Sequence, residues 1–306
     1  MSPAFELVVC ITSTALFDCS ESHEIWKHEG VETYKAHQRD RVKIPLKPGV
    51  GFPLVQSFLA LNEIAGKHLV EVVLVSRNNS EAGERVRYSL EYYKLRITRM
   101  SFTCGTDVTH YLPAWKCDLF LSTEEKQVLN SFYSSTENDL SAINYAPTSS
   151  NGSQWPDGQV RIAFDGDGVL FSDEAERIAK SQGLQAFFQF EKDRGQIALP
   201  KGPMKAFALK LQRVRQALDE ENRWRIRTFL VTARNDVANL RVFHTLKEWN
   251  LDIDETHFLG GLDKTPFLRA IDPAIYFDDS SENIDRAKIH VPSARVLYGI
   301  HSISNE

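Results

Sequence analysis

Four stretches of this chain carry residues that can do chemistry together. The run "VRIAF" ends in Asp165, Gly166 and Asp167. Further along come Thr232 at the end of "IRTFLVT", Lys264 after the pair Gly260-Gly261, and Asp278-Asp279 after "AIYF". Two carboxylates two residues apart on an extended segment face the same side. One can attack as a nucleophile while the other shuttles a proton. Asp165 and Asp278 can offer hard oxygen ligands to magnesium, which usually keeps several waters. Lys264 can neutralise a phosphate oxygen as a point charge. The Thr232 hydroxyl and the backbone N–H groups of Gly166 and Ala233 can hydrogen-bond other phosphate oxygens. Taken singly, each has a plainer reading: a solvated turn for either acidic pair, a strand-end hydroxyl or helix cap for Thr232, and a solvated lysine for Lys264. Taken together they describe a site for a divalent cation and a phosphate group.

Elements must bring these spots together. "VRIAFD", "IRTFLVT", "THFLG", "AIYFDD" and "ARVLYG" read as short strands. Between them lie helical stretches. Asp173 can cap one with Glu176 three residues on, and Gly183 stops it. Met204, Phe207, Ala208, Leu211, Val214 and Leu218 fall on one helical face. Asp236 to Trp249 and Lys264 to Ala270 read as two more helices. Strands alternating with helices predict an α/β fold with parallel pairing. Ligands on such sheets bind at the carboxyl ends of the strands, where Asp165, Thr232 and Asp278-Asp279 sit.

The chain repeats itself. Leu74 to Thr123 aligns without a gap on Leu230 to Asp279, with 15 identities in 50 positions, where average composition gives about 3 by chance. Asn79/Asn235, Arg85/Arg241, Leu90/Leu246, Gly105/Gly261 and Asp107/Asp263 are among them. The match extends backwards with small shifts: "CITSTALFD" on "FDGDGVLFS", "EIWKHEGVETY" on "RIAKSQGLQAF", and "PLKPG" near "ALPKG". A tandem duplication of one α/β unit follows. The first copy spans residues 1–145 and the second 159–306. The Pro-, Ser- and Gly-rich segment 146–158 between them reads as a linker. In the first copy Asp165 and Asp167 become Ile11 and Ser13, Thr232 becomes Ser76, Lys264 becomes Val108, and Asp278-Asp279 become Ser122-Thr123. That copy is expected to keep the fold without phosphoryl chemistry.

"DGDGVL", "LVTAR", Lys264 and "YFDD" resemble the four motifs of the haloacid dehalogenase-like superfamily of aspartyl-phosphate phosphatases. "RIAFDGDGVLFSDEAERI", "FLVTARN", "FLGGLDKTPFL" and "IYFDD" resemble, more narrowly, the cytosolic type I 5′-nucleotidase family, including its bacterial members. In the first half "STALFD", "FPLVQSFLALN", "VEVVLVSRN" and "DLFLST" do so too. The likeness runs from about Leu7 to Gly299 and implies Rossmann-like parallel sheets of the haloacid dehalogenase type. It implies a magnesium-dependent hydrolase of nucleoside 5′-monophosphates in the cytoplasm. Asp165 would be the nucleophile that becomes an aspartyl phosphate. Asp167 would protonate the leaving ribose 5′-oxygen and then activate water, its backbone carbonyl facing the metal. Thr232 and Lys264 would hold phosphoryl oxygens. Asp278 would bind the metal, and Asp279 would support it or orient its waters. A small helical cap is expected over about residues 173–222.

Three neighbours could touch the nucleoside: Phe171, Glu174 and Arg234. Phe171 serves equally as core, since Phe17 occupies the matching place. Arg234 serves equally as a bridge to a carboxylate. "FFQF", Phe187 to Phe190, reads more readily as helix packing than as a base shelf.

The 306 residues suit two domains. A net charge of −5 and 42% hydrophobic residues give no footprint for a nucleic-acid polymer. No apolar stretch is long enough to span a bilayer, and the apolar run from Phe5 reads as a strand rather than a signal peptide. Cys10, Cys19, Cys104 and Cys117 show no metal-binding spacing and read as buried free thiols in a reducing cytosol. Two similar half-sheets with open edges leave room for a homo-oligomer. Other functions remain open: a phosphatase of sugar phosphates or other small phosphomonoesters, or a phospho-accepting or nucleotide-binding regulatory protein.

Overall fold

The computed structural model describes residues 5–134, 141–145 and 158–299. The chain forms two compact units, Met1–Leu140 and Ser141–Glu306. The expected linker lies outside the described residues except for Gly158.

The first unit is built on strands β1 (Leu7–Thr12), β2 (Val70–Ser76), β3 (Arg99–Phe102) and β4 (Leu119–Ser122). Their order is β4-β1-β2-β3, all parallel. All six residues of β1 are buried, as expected of a central parallel strand covered on both faces.

The second unit holds β5 (Ser141–Tyr145), β6 (Val160–Phe164), β7 (Ile226–Thr232), β8 (Glu255–Phe258), β9 (Ile275–Asp278) and β10 (Ser293–Val296). The order is β8-β7-β6-β9-β10-β5. The first five are parallel, and β5 runs antiparallel to β10. The sequence reading places residues 141–145 at the end of the first copy; the compact units divide the chain just before them, and they pair antiparallel with β10. Within each unit the first of the parallel strands in chain order sits between the second and the fourth, so the two units share one strand order.

Apolar periodicity does what the sequence predicts. Phe207, Ala208, Leu211 and Val214 are buried along the helix Lys205–Ala217, flanked by buried Met204 and Leu218. Phe207 packs edge-on to Phe164 of β6 and Phe277 of β9. Each such buried side chain contributes about 1.5–3 kcal/mol. Ala163, Phe229, Val231 and Tyr276 fill the opposite face against Leu268 and Ile284. This two-sided burial fixes β6 between β7 and β9, and so fixes where their ends lie.

Two helices, Glu174–Gln182 and Leu184–Asp193, follow β6 and pack on each other; the second also packs on the helix Asp236–Glu248. Gly183 joins them at φ 85°, ψ 169°, a conformation essentially restricted to glycine. The first unit has the same joint: the helix Ser20–Asp40 is broken at Gly30, with φ 85° and ψ 178°. The helix pair is therefore present in both units, not in the second alone. Asp173 occupies the N-cap position, but its carboxylate accepts from Arg177 Nε at 2.7 Å and makes no capping bond. The side chain serves an ion pair one turn on, which competes with the cap.

No helix among the described residues is long and apolar enough to cross a membrane. The four cysteines are free; Cys10 and Cys117 are buried, Cys19 half-buried and Cys104 exposed.

Candidate active site

The three strand ends meet. Asp165 follows β6, and its N–H donates to Phe277 O on β9 at 2.8 Å. Thr232 ends β7 and Asp278 ends β9. Parallel pairing of β6 with both neighbours puts these residues side by side at the carboxyl edge. Gly166 is required by close approach: a Cβ there would stand 2.9 Å from Thr232 Oγ1.

Lys264 lies at the start of the helix Thr265–Ile271 and is buried. Its Nζ stands 2.7 Å from Asp165 Oδ1 and 2.8 Å from Asp278 Oδ2. Burial works to lower its pKa, but the two carboxylates outweigh burial and the net shift is upward. Asp278 is fully buried and hydrogen-bonded. It accepts from Lys264, from the Tyr276 hydroxyl, from Ser280 N–H at 2.8 Å and from Asn283 Nδ2 at 3.0 Å. Burial pushes the Tyr276 hydroxyl up, and the Asp278 charge adds to it.

Negative charge is undercompensated here. Carboxylate oxygens of Asp165, Asp278 and Asp279 all lie within 4.8 Å of one another. One lysine faces three acids. Burial raises Asp165 to about 7, against the pull of Lys264. Burial, then Asp165 and Asp278, raise Asp279 to about 9. Asp279 Oδ2 is buried with no hydrogen-bond partner. Three hard oxygen donors, one of them orphaned, fit a divalent cation of the magnesium or calcium type. Asp279, expected only in support, stands among the candidate ligands.

The Asp167 carboxylate points elsewhere. Arg234 holds it with two parallel bonds, Nε to Oδ2 at 2.8 Å and Nη2 to Oδ1 at 2.7 Å. Arg234 Nη1 donates to Glu191 Oε2 at 2.6 Å. Glu191 Oε1 in turn accepts from Arg241 Nη1 at 2.9 Å. Burial lowers the Arg234 pKa, but Asp167 and Glu191 outweigh it and drive it upward. Of the two readings of Arg234, the structure has the bridge to a carboxylate. Gly166 N–H donates to Asp165 Oδ1 at 2.6 Å, while Ala233 is exposed at the same edge. Phe171 is fully buried and packs on Trp249, the core side of its two readings. Glu174 pairs with Arg194 at 3.2 Å and Arg241 at 3.7 Å.

Sequence reasoning missed Glu191, Tyr276 and Asn283. Glu191 follows "FFQF", whose aromatics masked it. Arg241 carried a signal, as an identity between the copies, but no partner could be assigned to it.

In the first unit the positions that match the site residues are neutral. Ser13 Oγ and Ser76 Oγ are 2.8 Å apart, Ser122 Oγ donates to Gln127 Oε1 at 2.9 Å, and Val108 is core.

Fold and site together define an α/β protein with a buried acidic centre, suited to a divalent cation, at the carboxyl edge of a parallel sheet. The 5′-nucleotidase family profile matches residues 2–303, and the chain belongs to that family. It is 34% identical over 296 residues to human (Homo sapiens) cytosolic 5′-nucleotidase 1B, covering 94% of this chain and 48% of that protein. The chain thus spans about half the length of that curated relative. Among solved structures, histidinol dehydrogenase from Elizabethkingia anophelis aligns at 8% identity and TM-score 0.23, covering 78% of this chain and 49% of that one. The Pnkp1/Rnl/Hen1 complex aligns at 14% identity and TM-score 0.28, covering 97% and 99%. Likenesses this faint carry no argument.

Proposed function

We propose that the second unit hydrolyses nucleoside 5′-monophosphates to nucleoside and phosphate, as a phosphoric monoester hydrolase. The observation that carries this reading is the Lys264 ammonium between Asp165 and Asp278, beside Thr232, in a member of the 5′-nucleotidase family.

Asp165 is the nucleophile. Its carboxylate oxygen attacks phosphorus in line, and the bond from phosphorus to O5′ breaks. Asp167, which must first take up a proton from solvent while Arg234 holds it, gives that proton to O5′ and returns to the carboxylate form. It then takes a proton from water, whose oxygen attacks the aspartyl phosphate; phosphate leaves and Asp165 is restored. Lys264, the Thr232 hydroxyl and the N–H groups of Gly166 and Ala233 hold phosphoryl oxygens as charge shifts onto them. Asp165, Asp278, Asp279 and the Asp167 carbonyl would hold Mg2+, which supplies positive charge beside a dianionic ester. The helices Glu174–Gln182 and Leu184–Asp193 serve as a small cap that limits water.

The duplication belongs to the same reading, supported by contacts that recur in both units. Arg241 Nε donates to Ile197 O at 2.8 Å and Arg85 Nε to Ile44 O at 3.0 Å. Thr245 Oγ1 accepts from Leu199 N–H at 2.8 Å, and Ser89 Oγ from Leu46 N–H at 2.9 Å. Gly202 N–H donates to Leu170 O at 2.8 Å, and Gly49 N–H to Leu16 O at 2.9 Å. The first unit is then a copy without phosphoryl chemistry. A cytoplasmic setting accords with the name of the human relative.

The test is phosphate release from nucleoside monophosphates and sugar phosphates, with magnesium or a chelator, for wild type and Asp165→Asn. Release from sugar phosphates alone would keep the chemistry and overturn the substrate.

A further inference from the structure

We infer that Arg234 is a positioning residue for proton transfer: it fixes the Asp167 carboxylate and is itself fixed, through Glu191, by the helix Leu184–Asp193. The inference rests on the assignment of Asp167 as acid and base.

The geometry is specific. Two parallel N–H···O bonds set both oxygens and the plane of a carboxylate. All three Arg234 side-chain nitrogens are engaged, two by Asp167 and one by Glu191. The Arg234 side chain is 2% exposed and that of Asp167 18%, so the pair presents the acid, not the arginine, towards solvent and substrate. Glu191 is fully buried and divides its oxygens: Oε2 takes Arg234 and Oε1 takes Arg241. A rotation of Asp167 would break two bonds to a group that cannot follow it.

The first unit provides an internal comparison. Ser13, Asn78, Gln38 and Arg85 occupy the places of Asp167, Arg234, Glu191 and Arg241. The part that ties helix to loop is retained there: Arg85 donates to Ile44 O at 3.0 Å and to Gln38 Oε1 at 3.4 Å. The part that reaches the sheet edge is neutral: Asn78 Nδ2 donates to Ser13 Oγ at 3.2 Å. The fold therefore forms without an ionic chain. Burying charges is costly even when they are paired, and the chain of charges appears only in the unit that has an acid to hold.

A leaving group that needs no proton separates positioning from structure. kcat/KM is measured on a nucleoside 5′-monophosphate and on its analogue with sulfur as the bridging 5′ atom, which departs as a thiolate. Arg234→Ala is expected to lower kcat/KM about 10²-fold for the oxygen ester and less than about 5-fold for the sulfur ester. Glu191→Gln, which places in this unit the amide that Gln38 supplies in the other, is expected to show the same selectivity at about 10-fold; being isosteric it keeps the packing, with a loss of stability comparable to that of Arg241→Met. It gives the readout if Arg234→Ala does not fold. Equal losses on both esters would make the network purely structural. A gain on the oxygen ester would make Arg234 a restraint on Asp167. Either result overturns the inference and leaves the proposed reaction standing. Wild type inactive on both esters, or Asp165→Asn fully active, would instead overturn the proposed reaction and this inference with it.

Discussion

Arg241→Met and Arg85→Met, made in one protein, compare the same arginine in a charged and a neutral setting. Methionine keeps most of the stem volume and removes every donor. In the second unit the loss takes one of two cations from Glu191, whose side chain is fully buried, and a bond to Ile197 O. Removing a partner from a buried pair costs about 3–5 kcal/mol. Arg234 remains on Glu191, so the lower end applies, and the lost carbonyl bond brings the total to about 4 kcal/mol. For a unit the size of Ser141–Glu306 that is a fall in Tm of about 8–16 °C. Among the described residues the hydrogen bonds of Arg85 go to neutral acceptors, Ile44 O and a long 3.4 Å contact to Gln38, and no acid is bonded to it directly. Its loss costs about 1–2 kcal/mol, or about 2–8 °C. Calorimetry of the full chain, with urea titration as a second probe, reads both. Equal losses, or a larger loss from Arg85→Met, would refute the reasoning that Glu191 depends on its cations.

Lys264→Met should lower kcat about 10²–10³-fold, read by phosphate release, because it leaves Asp165 and Asp278 without their shared cation. Gly166→Ala should lower kcat at least about 10-fold and lower Tm as well, since the new methyl meets the buried Thr232 hydroxyl at 2.9 Å. Ser13→Ala in the first unit should leave kcat/KM within about twofold of wild type. Magnesium at about a hundred times its Kd should raise the Tm of metal-stripped protein by about 5–10 °C, and Asp279→Asn should remove most of that rise.

The strand ends were legible because a buried parallel strand must be apolar throughout, so "VRIAF" and "AIYF" announce their own termini. Asp165, Thr232 and Asp278 then converge by topology alone. Gly183 was legible as a helix stop, but not as the joint of a helix pair that recurs about Gly30 in the first unit, because a stop and a joint carry the same glycine signal. What stayed hidden was orientation. Asp167 and Asp165 are two residues apart, yet one side chain turns to Lys264 and the other to Arg234, a choice made by partners 67 and more positions away. Glu191 sits in an aromatic run on an amphipathic helix, where an acid reads as solvated; only the packing of that helix on Asp236–Glu248 buries it between two arginines. The fate of residues 141–145 was hidden too, since antiparallel pairing with β10 depends on a partner about 150 residues away.

The central claim is that Asp165 carries the phosphoryl group. The most direct measurement is inorganic phosphate released from nucleoside 5′-monophosphates by wild type and Asp165→Asn under magnesium, with mass spectrometry of acid-quenched wild type. The account predicts magnesium-dependent release that the substitution abolishes, and a phosphate adduct on the peptide containing Asp165. Release that survives Asp165→Asn would contradict it.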